Sequence, residues 1–481
     1  MGYTWLISMR SKSLTRGILR LAGTIAFLVF LLSTGLGWGA VTPGQEAAPS
    51  ATAQEQPKRI AEGYVTALSP PDGFTINGNL NVTTGAATHY EWFNHNDIKL
   101  GDATQDAVQI GAHVKVLGAK AKEAVTAETV RIQDEADRKI HGFGLVDKVI
   151  APGPEPVFRA DGFLLHIEPN TEVIFAGGLK TVDDVNPGTW MRYEGKRDKA
   201  GNLIAARAEF APGISGAAKA VDISQSSMAP DAIPANAKII DSNGNFEDGH
   251  GKVRISDSRG WCGWHRLATD QAMQERVRRV GMSVVPAFQR QLASNDAARI
   301  HFRFYAVDEP EIHTEFLCKE GVILVPLQLA GRLQNDDELA TVLADGVAFS
   351  LQLQETKVIH SAALRKSAAI AEDVLVVYDP LDFVVVDKMI VPIALRGVIE
   401  RAEEQRGRMA LAFMQGAGYD PWQAPEAWRL LSPKKLPTDT SHLKYPNRAG
   451  YQLAILNLQY ARDSAAKPDP NGAKANAPQP K

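Results

Sequence analysis

Residues Leu333 to Glu355 read LQNDDELATVLADGVAFSLQLQE, and the fold turns on what this stretch is. It opens with the composition of a helix start. Asn335 and Asp336 can accept hydrogen bonds from free backbone N–H groups, and Asp337 and Glu338 complement the positive end of a helix. The apolar residues Leu339, Val342, Leu343, Val347 and Leu351 then recur at helical spacing, which predicts one buried face. In the middle of that helix lies Asp345-Gly346-Val347-Ala348-Phe349.

The run before this pentapeptide, DELATVLA, resembles the run that precedes H-E-x-x-H in the HtpX-like zinc metallopeptidases (metallopeptidase family 48). The likeness extends upstream through FRFYAVDEPEIHTEFLCKEGVILVPLQLAGRLQNDDELATVLA, Phe302 to Ala344, and the order helix, strand, hairpin, motif helix is the family's. In that motif two histidines one turn apart bind zinc, and the glutamate activates the zinc-bound water. The resemblance places Asp345 at the first histidine, Gly346 at the glutamate and Phe349 at the second histidine. The family's third ligand is a later glutamate, followed by A-G-Y-D-P. Here Ala417-Gly418-Tyr419-Asp420-Pro421 is intact, with Trp422 and Trp428 after it. Counting back puts the ligand position at Gln405 and a neighbouring aspartate position at Gly407; a slip of one or two residues would recruit Glu403 or Glu404. The resemblance therefore implies a peptidase frame whose catalytic positions Asp345, Gly346, Phe349 and Gln405 are degenerate.

The residues support that conclusion without the alignment. Of the 11 histidines, no two lie within four residues of each other, so a two-histidine helical zinc site is impossible. Gly346 offers no base, and Phe349 projects an apolar ring where a metal would sit. Even a residue that merely orients a ligand is worth about 10- to 100-fold in affinity or activity, so losing ligands and base together is expected to abolish hydrolysis. No cofactor is expected; zinc belongs to the alternative of an active envelope metalloendopeptidase with an atypical metal site. Asp345 could hold another cation with His301, His313 or His360, or it could be a helix-face carboxylate in a salt bridge or in solvent. Phe349 is expected to fill the former metal space.

The chain has 481 residues, 22% of them charged and 44% hydrophobic, with a formal net charge of -3, which leaves no electrostatic case for a nucleic-acid partner. Arg10, Lys12, Arg16 and Arg20 flank an uncharged run, Leu21 to Ala40, long enough to span a bilayer. It reads as a cleaved signal or a retained anchor, and both imply an extracytoplasmic body. Cys262 and Cys318 are the two cysteines. In an oxidising compartment they could form a disulfide worth about 4 kcal/mol by chain entropy, or they could be separate buried thiols.

Residues 41–58 read as a linker rich in Ala, Pro, Gln and Ser. From Arg59 to Phe210 short strand patterns alternate with turns, and two halves echo one another. Gly63-Tyr64-Val65 recurs as Gly144-Leu145-Val146, Gly73–Ile76 as Gly162–Leu165, and Gly111–Gly118 as Gly188–Gly195. This predicts two tandem small antiparallel β-barrels, 59–136 and 139–211, OB-like in outline. They read as a spacer or, alternatively, as a binding face. His89, Trp92, Phe93 and His95 form an aromatic cluster expected to be core packing. A second linker spans 212–236, and the peptidase-like domain is expected over 237–463, with a disordered tail at 464–481. Within it, Ala237 to Ile255 suggests a hairpin turning at Asn243-Gly244-Asn245. Asp270 caps a helix broken near Pro286, and Val374 to Ile393 is an apolar run whose charges argue against a membrane span.

The fold expected is therefore multidomain: two small antiparallel barrels followed by an α+β, mainly helical metallopeptidase-like domain. The expected role is a non-catalytic pseudopeptidase in binding or scaffolding at the cell envelope, with a protein or peptide partner lying along an edge strand at Val322 to Val325. A structural envelope module acting through its barrels is the remaining alternative.

Overall fold

The computed structural model describes residues 59–94, 97–121, 124–133, 140–197, 203–212, 238–239, 246–247, 252–257, 260–296, 298–309, 316–318, 321–359, 391–432 and 445–460. The N-terminal apolar run, the linkers 41–58 and most of 212–236, the segment 360–390 and the tail lie outside the described residues, as do His95, His313, His360 and the turn at Asn243-Gly244-Asn245. Among the described residues no helix is long and apolar enough to cross a membrane.

The first barrel is a ring of β1 (Arg59–Ser69), β2 (Gly73–Ile76), β3 (Leu80–Thr83), β7 (Ala124–Gln133) and β6 (His113–Ala121), with β4 (His89–Phe93) and β5 (Lys99–Asp102) appended to β7. The second is a closed ring of β8 (Ile140–Ala151), β9 (Val157–Ala160), β10 (Phe163–Phe175), β12 (Leu203–Ala211) and β11 (Trp190–Arg197). Neither ring is purely antiparallel as expected. An odd number of strands cannot alternate all the way round, so each ring closes on a parallel pair, β3 with β7 and β10 with β12. Both interiors are aliphatic and aromatic, from Val65, Val114 and Val130 in one to Phe158, Met191 and Phe210 in the other.

The duplication is visible at atomic detail. Val65 accepts from the Gly111 N–H at 2.8 Å and donates to Ala112 at 2.9 Å; Val146 accepts from Gly188 at 2.8 Å and donates to Thr189 at 2.9 Å. One expected equivalence is corrected. Gly162–Leu165 opens β10, which corresponds to β3, whereas the counterpart of Gly73–Ile76 is β9. The true repeat is the hairpin tip. Asn77-Gly78 has φ of 52° and 77°, and Asp161-Gly162 has φ of 53° and 72°. Such consecutive positive-φ pairs fit the twist of a tight hairpin, and Asn, Asp and Gly adopt them at least cost.

The remaining region is more mixed than a mainly helical domain. A meander of β13 (Lys238–Ile239), β14 (Phe246–Glu247), β15 (Val253–Asp257) and β16 (Gly260–His265) packs against a three-stranded sheet through Val253, Ile255, Val322 and Leu324. That sheet runs β17 (Arg303–Val307), β19 (Val322–Pro326), β18 (Phe316–Cys318). Val322 to Val325 is thus the central strand and not an edge. It is fully buried, with β17 parallel on one side and β18 antiparallel on the other, so no peptide can add to it. The outer edge of β17 is also closed, because the Gln274 side chain bonds both the N–H and the carbonyl of Ala306, at 3.0 and 2.7 Å.

Seven helices are described: α1 (Gln271–Val284), α2 (Ala287–Gln291), α3 (Leu327–Arg332), α4 (Asp336–Ile359), α5 (Val391–Gly416), α6 (Ala424–Leu431) and α7 (Tyr445–Gln459). Asp270 caps α1 by accepting from Met273 at 3.0 Å, and Pro286 separates α1 from α2. α4 is buried more widely than one face. Ala340, Ala344 and Ala348 are as inaccessible as Leu339, Val342, Leu343 and Val347, so α4 is the centre of the helical layer.

The barrels are not a detached spacer. Tyr64, Leu145 and Trp190 belong to the same hydrophobic cluster as α1, α4, α5, α6 and α7. Both hairpin tips enter that layer. Asn77 bonds Asn447 at 3.1 Å and its carbonyl accepts from Arg429 at 3.3 Å, while the Asp161 carbonyl accepts from Arg408 Nε at 3.1 Å.

Candidate functional site

The start of α4 is built as its sequence implies. Asn335 Oδ1 accepts from the Glu338 N–H at 2.8 Å, and Glu338 Oε2 accepts from the Gln334 N–H at 2.6 Å. Asp336 pairs with Arg276 and Arg279 of α1 at 2.8 and 2.7 Å. Partial burial opposes its charge, but the two guanidiniums hold its carboxyl below the usual range. Asp337 Oδ1 accepts from the Asp420 N–H at 2.9 Å, which ties the motif helix to Ala417–Pro421.

That second motif is a junction between helices. The Ala417 N–H reaches Phe413 at 3.0 Å, the Tyr419 N–H reaches Met414 at 3.0 Å, and Gly418 takes φ of +84° as α5 ends. Asp420 then accepts from the Trp422 N–H at 3.0 Å, and Pro421 follows in the first position of the next turn. Tyr419 Oη and Ser283 Oγ, 2.9 Å apart, fix the junction to α1.

Asp345, Phe349 and Gln405, the positions that the resemblance singled out, meet between α4 and α5. Asp345 is 2% exposed, and its Oδ2 lies 3.0 Å from Arg406 Nε and 3.5 Å from Arg448 Nη1. Glu403 Oε1 accepts from Arg448 Nη2 at 3.2 Å and lies 3.5 Å from Arg406 Nη2. Two carboxylates thus face two guanidiniums in a charge-balanced, buried quartet. Phe349, half-buried, lies beneath Arg406, whose guanidinium carbon is 5.6 Å from the ring centroid. Further along the same face, Gln352 Nε2 donates to Gln405 Oε1 at 2.8 Å and to the Ala402 carbonyl at 2.7 Å. Gly346 contributes only its backbone, its carbonyl accepting from Ser350 Oγ at 3.0 Å.

The structure therefore brings Asp345, Phe349 and Gln405 to one helix–helix interface. The carboxylates nearest to them are Glu403, which shares Arg406 and Arg448 with Asp345, and Asp161, which Gln405 hydrogen-bonds. His301 is exposed ahead of β17, and Gly407 is buried with its carbonyl accepting from Gln452 at 3.2 Å. Among the described residues no cluster of three or more His, Cys, Asp or Glu side chains could hold an ion. The donor set does not fit zinc: the one carboxylate at the motif position is already engaged by two fixed cations, which would repel a third. Cys262 and Cys318 lie on β16 and β18, and the state of their side chains is outside what is described. In the first barrel Phe93 is buried, Trp92 packs on the core and His89 is exposed.

No family model and no curated protein matches the chain.

The opposite face of α5 carries a second polar network, against the barrels. Tyr64 Oη donates to Glu404 Oε1 at 2.7 Å. Arg408 donates to Tyr451 Oη and stacks on Phe163, its guanidinium carbon 3.8 Å from the ring centroid. Tyr193 Oη donates to Asp161 Oδ2 at 3.1 Å. Burial pushes the Asp161 carboxyl up, and Gln405, Arg408 and Tyr193 oppose that. Burial likewise raises the Tyr451 phenol, to about 12, against the pull of Arg408. Arg406, Arg408, Arg448 and Asp161 were not singled out from the sequence. The available signal was Glu403-Glu404-Gln405-Arg406-Gly407-Arg408, whose charges point to every side of a helix too central to leave them in solvent.

Proposed function

We propose that this chain is a non-catalytic binding or scaffolding protein: a pseudopeptidase with an HtpX-like frame whose former metal site has become a structural core. The observation that carries this reading is the quartet of Asp345, Glu403, Arg406 and Arg448 together with Phe349, which occupies the interface where the motif frame would require a metal, a base and a water. Hydrolysis needs an open coordination position and a group to accept a proton. Gly346 cannot accept one, and the only carboxylate of the motif is neutralised. With Val322 to Val325 sealed inside its sheet, recognition falls to other surfaces. The joint packing of both barrels on the helical layer favours a platform that holds the barrels in fixed orientation at the cell envelope.

The test is proteolysis. The purified chain, with added zinc and with chelator, is incubated with an unfolded casein. No chelator-sensitive cleavage is expected. Cleavage that chelator abolishes, and that Asp345→Ala also abolishes, contradicts the reading.

A further inference from the structure

Helices α5 and α7 end side by side against the outer surface of the second barrel, and a cleft of about 370 Å³ opens where the three meet. A cleft of this size at an interface between domains is a common setting for small-ligand recognition. It is lined by Lys148, Arg159, Leu164, Gln415, Gln459 and Tyr460. Arg159 has a buried side chain fixed from two sides: Asp147 accepts at 2.8 Å from Nε and Gln415 Oε1 accepts at 3.1 Å from Nη1. Its charge is therefore neutralised in place, and the guanidinium acts as a rigid planar wall.

What remains unsatisfied is of both kinds. Tyr460 is 9% exposed, and no hydrogen bond of its hydroxyl occurs among the described residues; the Lys148 ammonium at the mouth partly offsets the Asp147 charge. Gln459 Oε1 is a buried acceptor with no donor among the described residues. An anion would answer the donors and oppose Asp147 and the negative ends of both helices. A cation would face Arg159 and Lys148. A hydroxyl group donates and accepts, and adjacent hydroxyls match the spacing of planar amide and guanidinium groups.

We propose that this cleft binds a small polyhydroxylated molecule, a sugar unit, held by Tyr460, Gln459, Gln415 and Lys148 over the apolar floor of Leu164. The site is independent of the α4–α5 quartet and does not depend on whether the chain is catalytic.

Saturation-transfer NMR and calorimetry on the purified chain, with D-glucose and N-acetyl-D-glucosamine as probes and acetate and inorganic phosphate as controls, test it. Saturable binding of at least one sugar is expected. Tyr460→Phe, which removes only the hydroxyl, and Gln415→Ala should each weaken it by about tenfold while the melting temperature stays that of the parent. The proposal is overturned if neither sugar binds, if acetate or phosphate competes for the same site, or if both variants, shown to be folded, bind sugar as the parent does.

Discussion

At the scale of single residues, the account rests on buried charges that answer one another. Arg406 touches Asp345, Glu403 and the face of Phe349, so removing it leaves Asp345 short of a partner in a site water cannot reach. Arg406→Ala should cost about 3–5 kcal/mol in urea denaturation, whereas the double change Asp345→Leu with Arg406→Met should cost less than the single one, because a buried pair can be replaced by apolar packing but not halved. Tyr64→Phe removes the donor to Glu404 and should cost about 1.5–3 kcal/mol. Asp161 gives a pH-dependent prediction. Its carboxyl is raised in the folded chain, chiefly by burial, so the folded state holds that proton more tightly than the unfolded state does. Stability from this group is greatest in acid, falls as pH rises from the ordinary carboxylate range near about 3.9 through the raised value, and stays reduced above it. The equivalent position in the first barrel is Asn77, already in the same backbone conformation. Asp161→Asn should therefore be at least as stable as the parent at neutral pH and show a shallower pH dependence of the melting temperature, the slope from Asp147, also raised by burial, remaining.

At the scale of elements, the two hairpin tips do the docking, and their glycines are not equivalent. A Cβ on Gly162 would stand 2.3 Å from the backbone carbon of Arg408, whereas one on Gly78 would meet the far ends of Leu453 and Arg429, at 2.5 and 2.9 Å. Both positions have positive φ, which costs an ordinary residue about 1–2 kcal/mol. Gly162→Ala should exceed Gly78→Ala by about 2 kcal/mol or more, since the α5 backbone cannot step aside as a side chain can. This is also where the sequence was legible only in part. The duplicated Gly63 and Gly144 strands, the Asp270 cap, the Pro286 break and the start of α4 all follow from local chemistry written in a few adjacent letters. The parallel closure of the barrels, the central place of β19 and the alignment of Asn77 with Asp161 depend on which distant strands pair. Val322 to Val325 reads the same in sequence whether it is an edge or a centre. The α4–α5 interface was legible by position, through Asp345, Phe349 and Gln405. Its content was not, because Arg448 arrives from a helix more than one hundred residues along the chain from Asp345.

At the scale of the whole molecule, shared burial of Tyr64, Leu145 and Trp190 with the helical core predicts that barrels and helices unfold together. Native-state hydrogen exchange should show the slowest amides of β6, β11 and α4 opening with a common free energy; barrels that open well before the helices would mean that the interface is weak. The same unity bears on the proposed function, since Asp345, Glu403, Arg406 and Arg448 are buried against one another inside the layer that joins barrels and helices. The most direct measurement is zinc stoichiometry by native mass spectrometry, after equilibration of the purified chain with equimolar zinc and a brief exposure to chelator. The account predicts the mass of the metal-free chain. One zinc retained per chain, and lost in Asp345→Ala, would contradict it.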